Sequence, residues 1–442
     1  MDWSKLPDLA AVALLAVAFA AVARSSQASV SKLWLTGWVT IALHFAAFAF
    51  VSAAGVFGTI ADFVATAGLT WAGVLFIWAS VPYRDRLSSR WMLAVLLGTN
   101  TLYIAIAHVD SAPSWALTAA AILFGVLPLG VALMSLREVN HRLRWISVAL
   151  YCALAVFLLA VQHRPGDGLF LALNAVLFTV YFDCSLHFLY AYRRRTAGAF
   201  VTIAGFLSWS AVFVVGPGLV ELLPNLKLES EVWNLPKYVV AVGMILLILE
   251  EQIEHNKYLA LHDELTGLPN RRLFQDRLSS ALVRARRNGS QTALLLVDLD
   301  DFKQVNDTLG HHAGDQLLKH VGRVFSDRVR RSDTVARTGG DEFSVILDDP
   351  ISREDAERVG KSLMELLKEP LELGNQTLRI GASVGVAVFP EDASDEEGLC
   401  IAADLRMYAF KRRRGRSGES PRAAHSAPLP VIEVRAQPQQ VG

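Results

Sequence analysis

The sequence predicts a multi-pass α-helical membrane domain over residues 1–250 and a soluble α/β domain over 263–416. Three observations carry that reading. Apolar stretches of spanning length recur nine times before residue 250, most of the acidic residues lie after residue 220, and helix-period and strand-period segments alternate from residue 271 onward. At 442 residues the chain has room for two or three domains. Its 42 basic residues balance 42 acidic ones, so charge gives no reason to expect a nucleic-acid partner. Cys152, Cys184 and Cys400 are too few and too scattered for a disulfide framework or a zinc site.

The spans are read at 7–23, 33–54, 57–81, 91–108, 113–135, 145–161, 168–191, 198–220 and 233–250. Basic residues mark every second loop: Arg24 and Lys32, then Arg84, Arg86 and Arg90, then Arg137, Arg142 and Arg144, then Arg193, Arg194 and Arg195. The loops between them are neutral or acidic, with Asp110 in one, Arg164 against Asp167 in another, and three glutamates against Lys227 in the longest. Because basic loops stay in the cytoplasm, the amino terminus is expected outside and the carboxyl half inside. A cleaved signal peptide over 1–25 would put Arg24 and Lys32 outside and break the alternation, so this stretch is read as a span. His44, Asp62, Asn100, Asn174, Asp183 and His187 are polar positions within the spans, where polar groups are costly and often functional. Asp183 and His187 share a helix face, yet nothing in the sequence places the six together, and helix-packing hydrogen bonds are the simpler reading.

The last span runs into a helical connector at 246–262. Leu246, Leu249, Ile253 and Ala260 keep a three-four spacing with Asn256 in the same stripe, the pattern of a short parallel seam between two subunits. A single juxtamembrane amphipathic helix would show the same stripe.

Beyond the connector, helix 271–288 and strand 292–299 are followed by helices 303–309 and 312–331, then strands 334–338 and 342–348. Helix 352–367, a hairpin around Gly374-Asn375, strand 382–389 and helix 396–412 complete the domain. Residues 417–442 are rich in proline, glutamine and alanine without an apolar period, a composition that predicts disorder.

The chemistry gathers at Arg337-Thr338-Gly339-Gly340-Asp341-Glu342-Phe343, a glycine turn between two short strands that carries adjacent carboxylates. Glycine lets a bulky anion approach the backbone, and carboxylates are the hard oxygen ligands that magnesium prefers. Upstream, the apolar strand Leu294–Val297 ends in Asp298-Leu299-Asp300-Asp301-Phe302-Lys303, followed by Asn306-Asp307 and Gly310-His311-His312-Ala313-Gly314-Asp315. With Asp263-x-Leu265-Thr266-Gly267-Leu268-Pro269-Asn270-Arg271 before them and Ser383-Val384-Gly385-Val386-Ala387 after, these ordered blocks resemble the GGDEF family of diguanylate cyclases.

The resemblance implies a palm-like sheet with surrounding helices, as in nucleotide cyclases and polymerases. It implies synthesis of cyclic di-GMP from two GTP by a homodimer tethered to the bacterial inner membrane and its lipid. Asp298 and Asp341, with the Leu299 carbonyl, would hold two Mg2+ ions, and Glu342 would bind metal or help activate the hydroxyl. Asn306 and Asp315 would read guanine, with His311 in the same pocket, and Lys303 and Lys411 would face phosphate. The family pattern ends in a lysine, two residues and Gly-Arg. Here Arg412-Arg413-Arg414 separate Lys411 from Gly415-Arg416, one residue too many, which leaves Arg416 the weakest candidate for the triphosphate. Arg406 and Phe410 also replace small residues of the pattern. Arg330 and Asp333 match the family's inhibitory Arg-x-x-Asp site for product. The competing reading is a non-catalytic module that binds GTP or cyclic di-GMP and signals by contact, against which the intact Asp298, Asn306, Asp315, Asp341 and Glu342 argue.

Overall fold

A computed structural model describes residues 6–25, 29–80, 87–109, 115–124, 141–161, 168–192, 196–222, 230–348, 352–373, 376–417 and 433–434. The chain divides into two compact units, Met1–Glu254 and His255–Gly442.

The first unit is helical. Its elements are α1 (Leu6–Ser25), α2 (Ser29–Phe48), α3 (Val56–Ala79), α4 (Leu87–Ala107), α5 (Trp115–Phe124), α6 (His141–Val161), α7 (Gly168–Ala191), α8 (Ala197–Leu222) and α9 (Ser230–Leu261), whose last turns enter the second unit. Among the described residues, five helices are long and apolar enough to cross a membrane: Val56–Ala79, Arg90–Ala107, Gly168–Ala191, Ala197–Leu219 and Val232–Leu261. Among the described residues each expected span falls on a helix, the fifth being described only over Trp115–Phe124, and two others differ in extent. The second ends at Phe48, where the chain turns through residues 49–55 to a positive-φ Gly55. The ninth starts at Ser230 and runs on through the connector to Leu261, with Pro236 inside the helix. The fifth span beyond Phe124, most of the charged loop residues (Arg84, Arg86, Asp110, Arg137, Arg164, Asp167 and Arg193 to Arg195) and residues 418–432 lie outside the described residues.

An aromatic core joins α2, α3, α7 and α8 through Trp34, Trp38, Phe76, Tyr181, Phe188, Phe206 and Trp209. Helices α8 and α9 approach closely where Gly205 abuts Val240 and Gly243 abuts Thr202, the small-residue packing that bilayers favour. The polar residues of the spans are mostly bonded to neighbours. Ser147 Oγ donates to Asp183 Oδ1 at 2.7 Å, the Tyr151 hydroxyl donates to Oδ2 at 3.1 Å, and His187 Nδ1 stands 3.4 Å from Oδ1. Asp183 and His187 do pair, and the donors from α6 make their cluster a clasp between α6 and α7. Asp62 meets His108 at 3.4 Å, His44 Nδ1 meets the Ala65 carbonyl at 2.8 Å, and Asn174 bonds its own helix at Phe170. Asn100 Oδ1 is buried with no hydrogen-bond partner among the described residues.

The second unit is a four-stranded antiparallel sheet of order β2-β3-β1-β6, flanked by helices. Its strands are β1 (Thr292–Leu299), β2 (Thr334–Arg337), β3 (Glu342–Leu347) and β6 (Ala382–Phe389). The small strands β4 (Leu371–Leu373) and β5 (Gln376–Leu378) form the expected second hairpin, extended by Glu433–Val434. The helices are α10 (Arg271–Asn288), α11 (Phe302–Leu309), α12 (His311–Arg328), α13 (Arg353–Leu367) and α14 (Glu396–Ser417). One face of the sheet packs Leu295, Val297, Val345 and Phe343 against Leu318, Val321, Phe325 and Leu363. The other packs Leu294, Ile346 and Ala387 against Phe274, Leu278 and Ala403. Alternation along each strand thus fills two cores, which accounts for the nearly unbroken apolar runs. Helix α10 starts where Asn270 Oδ1 accepts from the Arg272 and Leu273 amides and stops at Gly289 in the left-handed region.

Candidate active site

The site is built at one end of the sheet. Strand β1 carries Asp298 there directly opposite Glu342, the first residue of β3. The Leu299 amide donates to the Asp341 carbonyl at 3.2 Å, fixing the signature turn against β1. On the other side of β1, Asp298 faces Ser383 of β6, whose hydroxyl donates to Asp300 Oδ1 at 2.7 Å. Asp298, Asp341 and Glu342 therefore come to neighbouring strand ends.

Two backbone devices bring up the remaining candidates. Asp301 takes a left-handed conformation (φ 57°) between β1 and α11, which aspartate tolerates better than most residues. Gly310 (φ 85°) separates α11 from α12 without a connecting loop. The bend sets Asn306 of α11 beside the first turn of α12. A Cβ on Gly314 would overlap Asn306 Oδ1 and come within 3.0 Å of its Cγ. Asp315 follows on α12 and is exposed, as are His311 and Lys303.

Lys411 reaches back from α14, and its Nζ donates to Asp298 Oδ1 at 2.7 Å. That bond holds its ammonium above the ordinary lysine pKa, although burial opposes the shift. The sequence assigns Lys411 to phosphate, so a bond to a metal-assigned carboxylate is a difference. Helix α14 runs without a break to Ser417, and the Arg416 side chain lies outside the described residues. Arg406, which looks like a misfit in the motif, has a local function. Its guanidinium grips both oxygens of Asp392 at 2.5 and 2.6 Å and donates to the Val386 carbonyl at 2.7 Å. Arg353 adds a 2.8 Å bond to Asp392 Oδ1. The Arg406 bonds, with help from the Val388 amide and Arg353 and against a burial penalty, hold the Asp392 carboxyl well below its usual range.

Arg337 and Asp263 belong to quoted motifs but have no role that the sequence reveals. Arg337 Nη1 donates to both Asp263 oxygens, and its Nε and Nη2 donate to the Gly340 carbonyl within the signature turn. Burial alone would raise the Asp263 pKa. The Thr266 hydroxyl and amide and the Arg337 guanidinium outweigh it and hold the carboxyl below its ordinary value.

The inhibitory-site candidates lie in the turn between α12 and β2. Asp333 Oδ2 accepts from the Arg330 amide at 2.9 Å and Oδ1 from the Asp348 amide at 3.2 Å, while the Arg330 side chain is exposed.

Among the described residues no group of three or more histidine, cysteine or acidic side chains forms a preformed metal cage. What the strand ends offer is oxygen: the carboxylates of Asp298 and Asp341 and the backbone beside them. A positively charged lysine already rests on Asp298. That donor set and that preference for a cation fit a hard divalent ion such as Mg2+.

Residues 260–417 match the family model described as diguanylate cyclase, GGDEF domain. A solved structure of TpbB (YfiN) from Pseudomonas aeruginosa, a delta-N mutant comprising only the GGDEF domain, is 42% identical, over 34% of this chain and 89% of that one, with a TM-score of 0.34. Residues 260–417 are a GGDEF domain. Two curated relatives from the same organism are similar over this domain. The bifunctional diguanylate cyclase/cyclic di-GMP phosphodiesterase MucR is 39% identical over 41% of this chain and 28% of its own length. Diguanylate cyclase TpbB is 41% identical over 35% of this chain and 36% of its own. The chain thus spans about a third of the length of these relatives. Each similarity is shorter than 200 residues, while the family match covers only the carboxyl-terminal GGDEF domain.

Proposed function

We propose that this GGDEF protein is a membrane-anchored diguanylate cyclase that joins two GTP molecules into cyclic di-GMP and releases pyrophosphate. The observation that carries the reading is the meeting of Asp298, Asp341 and Glu342 at adjacent strand ends, next to the bend that presents Asn306 and Asp315. Relatives named diguanylate cyclase support the same activity.

Each 3′-hydroxyl must lose a proton as it attacks the partner's α-phosphate. Two Mg2+ ions held by Asp298 and Asp341 would supply charge stabilisation and lower the hydroxyl's pKa. Glu342, exposed at the start of β3, is placed to steer that hydroxyl or to add a ligand. Guanine offers donors at N1 and N2, which an amide oxygen and a carboxylate can accept, so Asn306 and Asp315 select guanine over adenine. Lys303 and Lys411 neutralise the triphosphate, His311 belongs to the same nucleotide pocket, and Arg416 is the weakest candidate for the triphosphate. Two such sites must face each other, so the working form is a homodimer. The exposed Leu249 and Ile253 of α9 suit a seam between copies. The helical unit is the membrane anchor and a candidate sensor, with the GGDEF domain on the cytoplasmic side of the inner membrane.

The test is the full chain in lipid nanodiscs, given GTP and Mg2+, with products separated by mass. Cyclic di-GMP from the wild type and none from Asp341→Ala is the expected result. A wild type that binds GTP but forms no phosphodiester bond would leave the contact-signalling module as the function.

A further inference from the structure

Lys411 sits near the exposed end of α14, but its ammonium is turned back to the sheet. It meets Asp298 at 2.7 Å and lies within electrostatic reach of Asp300 and Asp341 as well. Asp298 is mostly buried, with 15% of its side chain exposed, whereas Lys411 retains 49%. A carboxylate so placed is poorly hydrated and needs a positive partner, while the lysine stem has room to swing. The cation needed at this strand end is therefore part of the chain.

We propose that Lys411 is the resident counter-cation of Asp298, and that its ammonium and a divalent ion compete for that carboxylate until a triphosphate draws the lysine away. The proposal rests on the reading of Asp298 as a metal ligand. Phosphate oxygens are acceptors that an ammonium can take in exchange for a carboxylate, without losing a charged partner. Nucleotide and metal then favour each other's binding: each removes what obstructs the other, and by linkage the effect is reciprocal. The strand end stays neutralised between turnovers, and metal is not taken up without substrate. Were the contact merely an exposed lysine resting on the nearest acid, removing it would leave divalent affinity unchanged.

Mn2+ serves as the probe, with its binding to the full chain in nanodiscs followed by the electron paramagnetic resonance of the free ion. Without nucleotide, Lys411→Met is expected to bind Mn2+ about tenfold more tightly than wild type, the scale of losing one competing charge. Lys411→Gln should move the same way, which guards against a folding defect in one variant. The gain should vanish in the Lys411→Met, Asp298→Asn double variant. It should also shrink when a non-hydrolysable GTP analogue is present. Equal Mn2+ affinity of wild type and both lysine variants overturns the proposal and leaves the cyclase reading standing. If none of them takes up Mn2+ even with the analogue, Asp298 is not a metal ligand, and both readings fall.

Discussion

Arg337 ties Asp263 to the signature turn: its guanidinium meets the Asp263 oxygens at 3.0 and 3.1 Å and the Gly340 carbonyl at 2.7 and 3.1 Å. One side chain thus joins the 263–270 turn to the loop that carries Asp341. Both partners are partly buried, with 13% and 23% of their side chains exposed, so the pair is less screened than a surface bridge. Arg337→Ala should leave the domain folded and lower the cyclase rate at saturating GTP by at least about tenfold, through a loosened turn. Asp263→Asn should lose less, because the amide oxygen still accepts from Thr266. A double-mutant cycle on unfolding free energy is expected to show coupling of about 1–3 kcal/mol. Additive effects would mean that the contact does not hold the turn.

Gly314 touches Asn306 so closely that a methyl group cannot be added without moving the carboxamide. Gly314→Ala should therefore mimic Asn306→Ala: a KM for GTP raised about tenfold, with a smaller change in kcat, as expected when ground-state binding is lost. In an Asn306→Ala background the glycine change should add nothing. Inosine triphosphate, which lacks the guanine amino group, provides the second readout, since both variants should discriminate against it less than wild type. Additive losses in KM would reduce Gly314 to ordinary helix packing.

The order of elements in the GGDEF domain was legible because each strand is a run of apolar residues bounded by turn signals. Both β-hairpins and the helices around the sheet follow from local pattern. The placement of β1 between β3 and β6 does not, since strand pairing depends on where distant segments meet. The same limit hides Arg337 and Asp263, which are 74 residues apart, and Lys411 and Asp298, which are 113 apart. Arg406 read as a misfit because its partner Asp392 lies in a loop with no motif of its own. In the helical unit the length of the apolar stretches located the helices. That Ser147 and Tyr151 would satisfy Asp183 required knowing which faces of α6 and α7 meet.

Asp392 makes a pH prediction. Its folded pKa is depressed, chiefly by Arg406, so the stabilisation is present above the unfolded value of about 3.9 and is lost as pH falls towards the folded one. Amide protection in β6 and in α14 around Arg406, taken relative to the intrinsic exchange rate at each pH, should fall below about pH 4 in the wild type. Asp392→Asn should exchange faster already at pH 7 and respond less to acid. Hydrogen-exchange mass spectrometry of the peptides around Val388 and Arg406 separates this from global unfolding.

Topology can be checked directly. From the loop charges, Arg195 is expected in the cytoplasm and Ser111 outside. A phosphatase reporter fused after Ser111 should be active, and one fused after Arg195 should not. Equal activity at the two sites would show that the number of crossings between them has been miscounted.

Product feedback is the last prediction, and the turn geometry sharpens it. Asp333 spends both oxygens on backbone amides, those of Arg330 and Asp348, so its carboxylate sets the shape of the turn. Replacing Asp333 would disturb the fold of the loop and confuse the result. Arg330 is the better target, because its backbone holds the turn while its side chain is exposed. A guanidinium there can meet a phosphate or a guanine edge through two parallel bonds. Cyclic di-GMP bound to it would lie one short strand away from Asp341, able to hold two domains apart without entering either active site. Wild-type progress curves should bend as product accumulates, and added cyclic di-GMP should deepen the bend. Arg330→Ala should keep a similar initial rate and stay linear for longer. Should both proteins be inhibited equally, the Arg-x-x-Asp segment is a helix-end turn, with Arg330 near the carboxyl end of the α12 dipole.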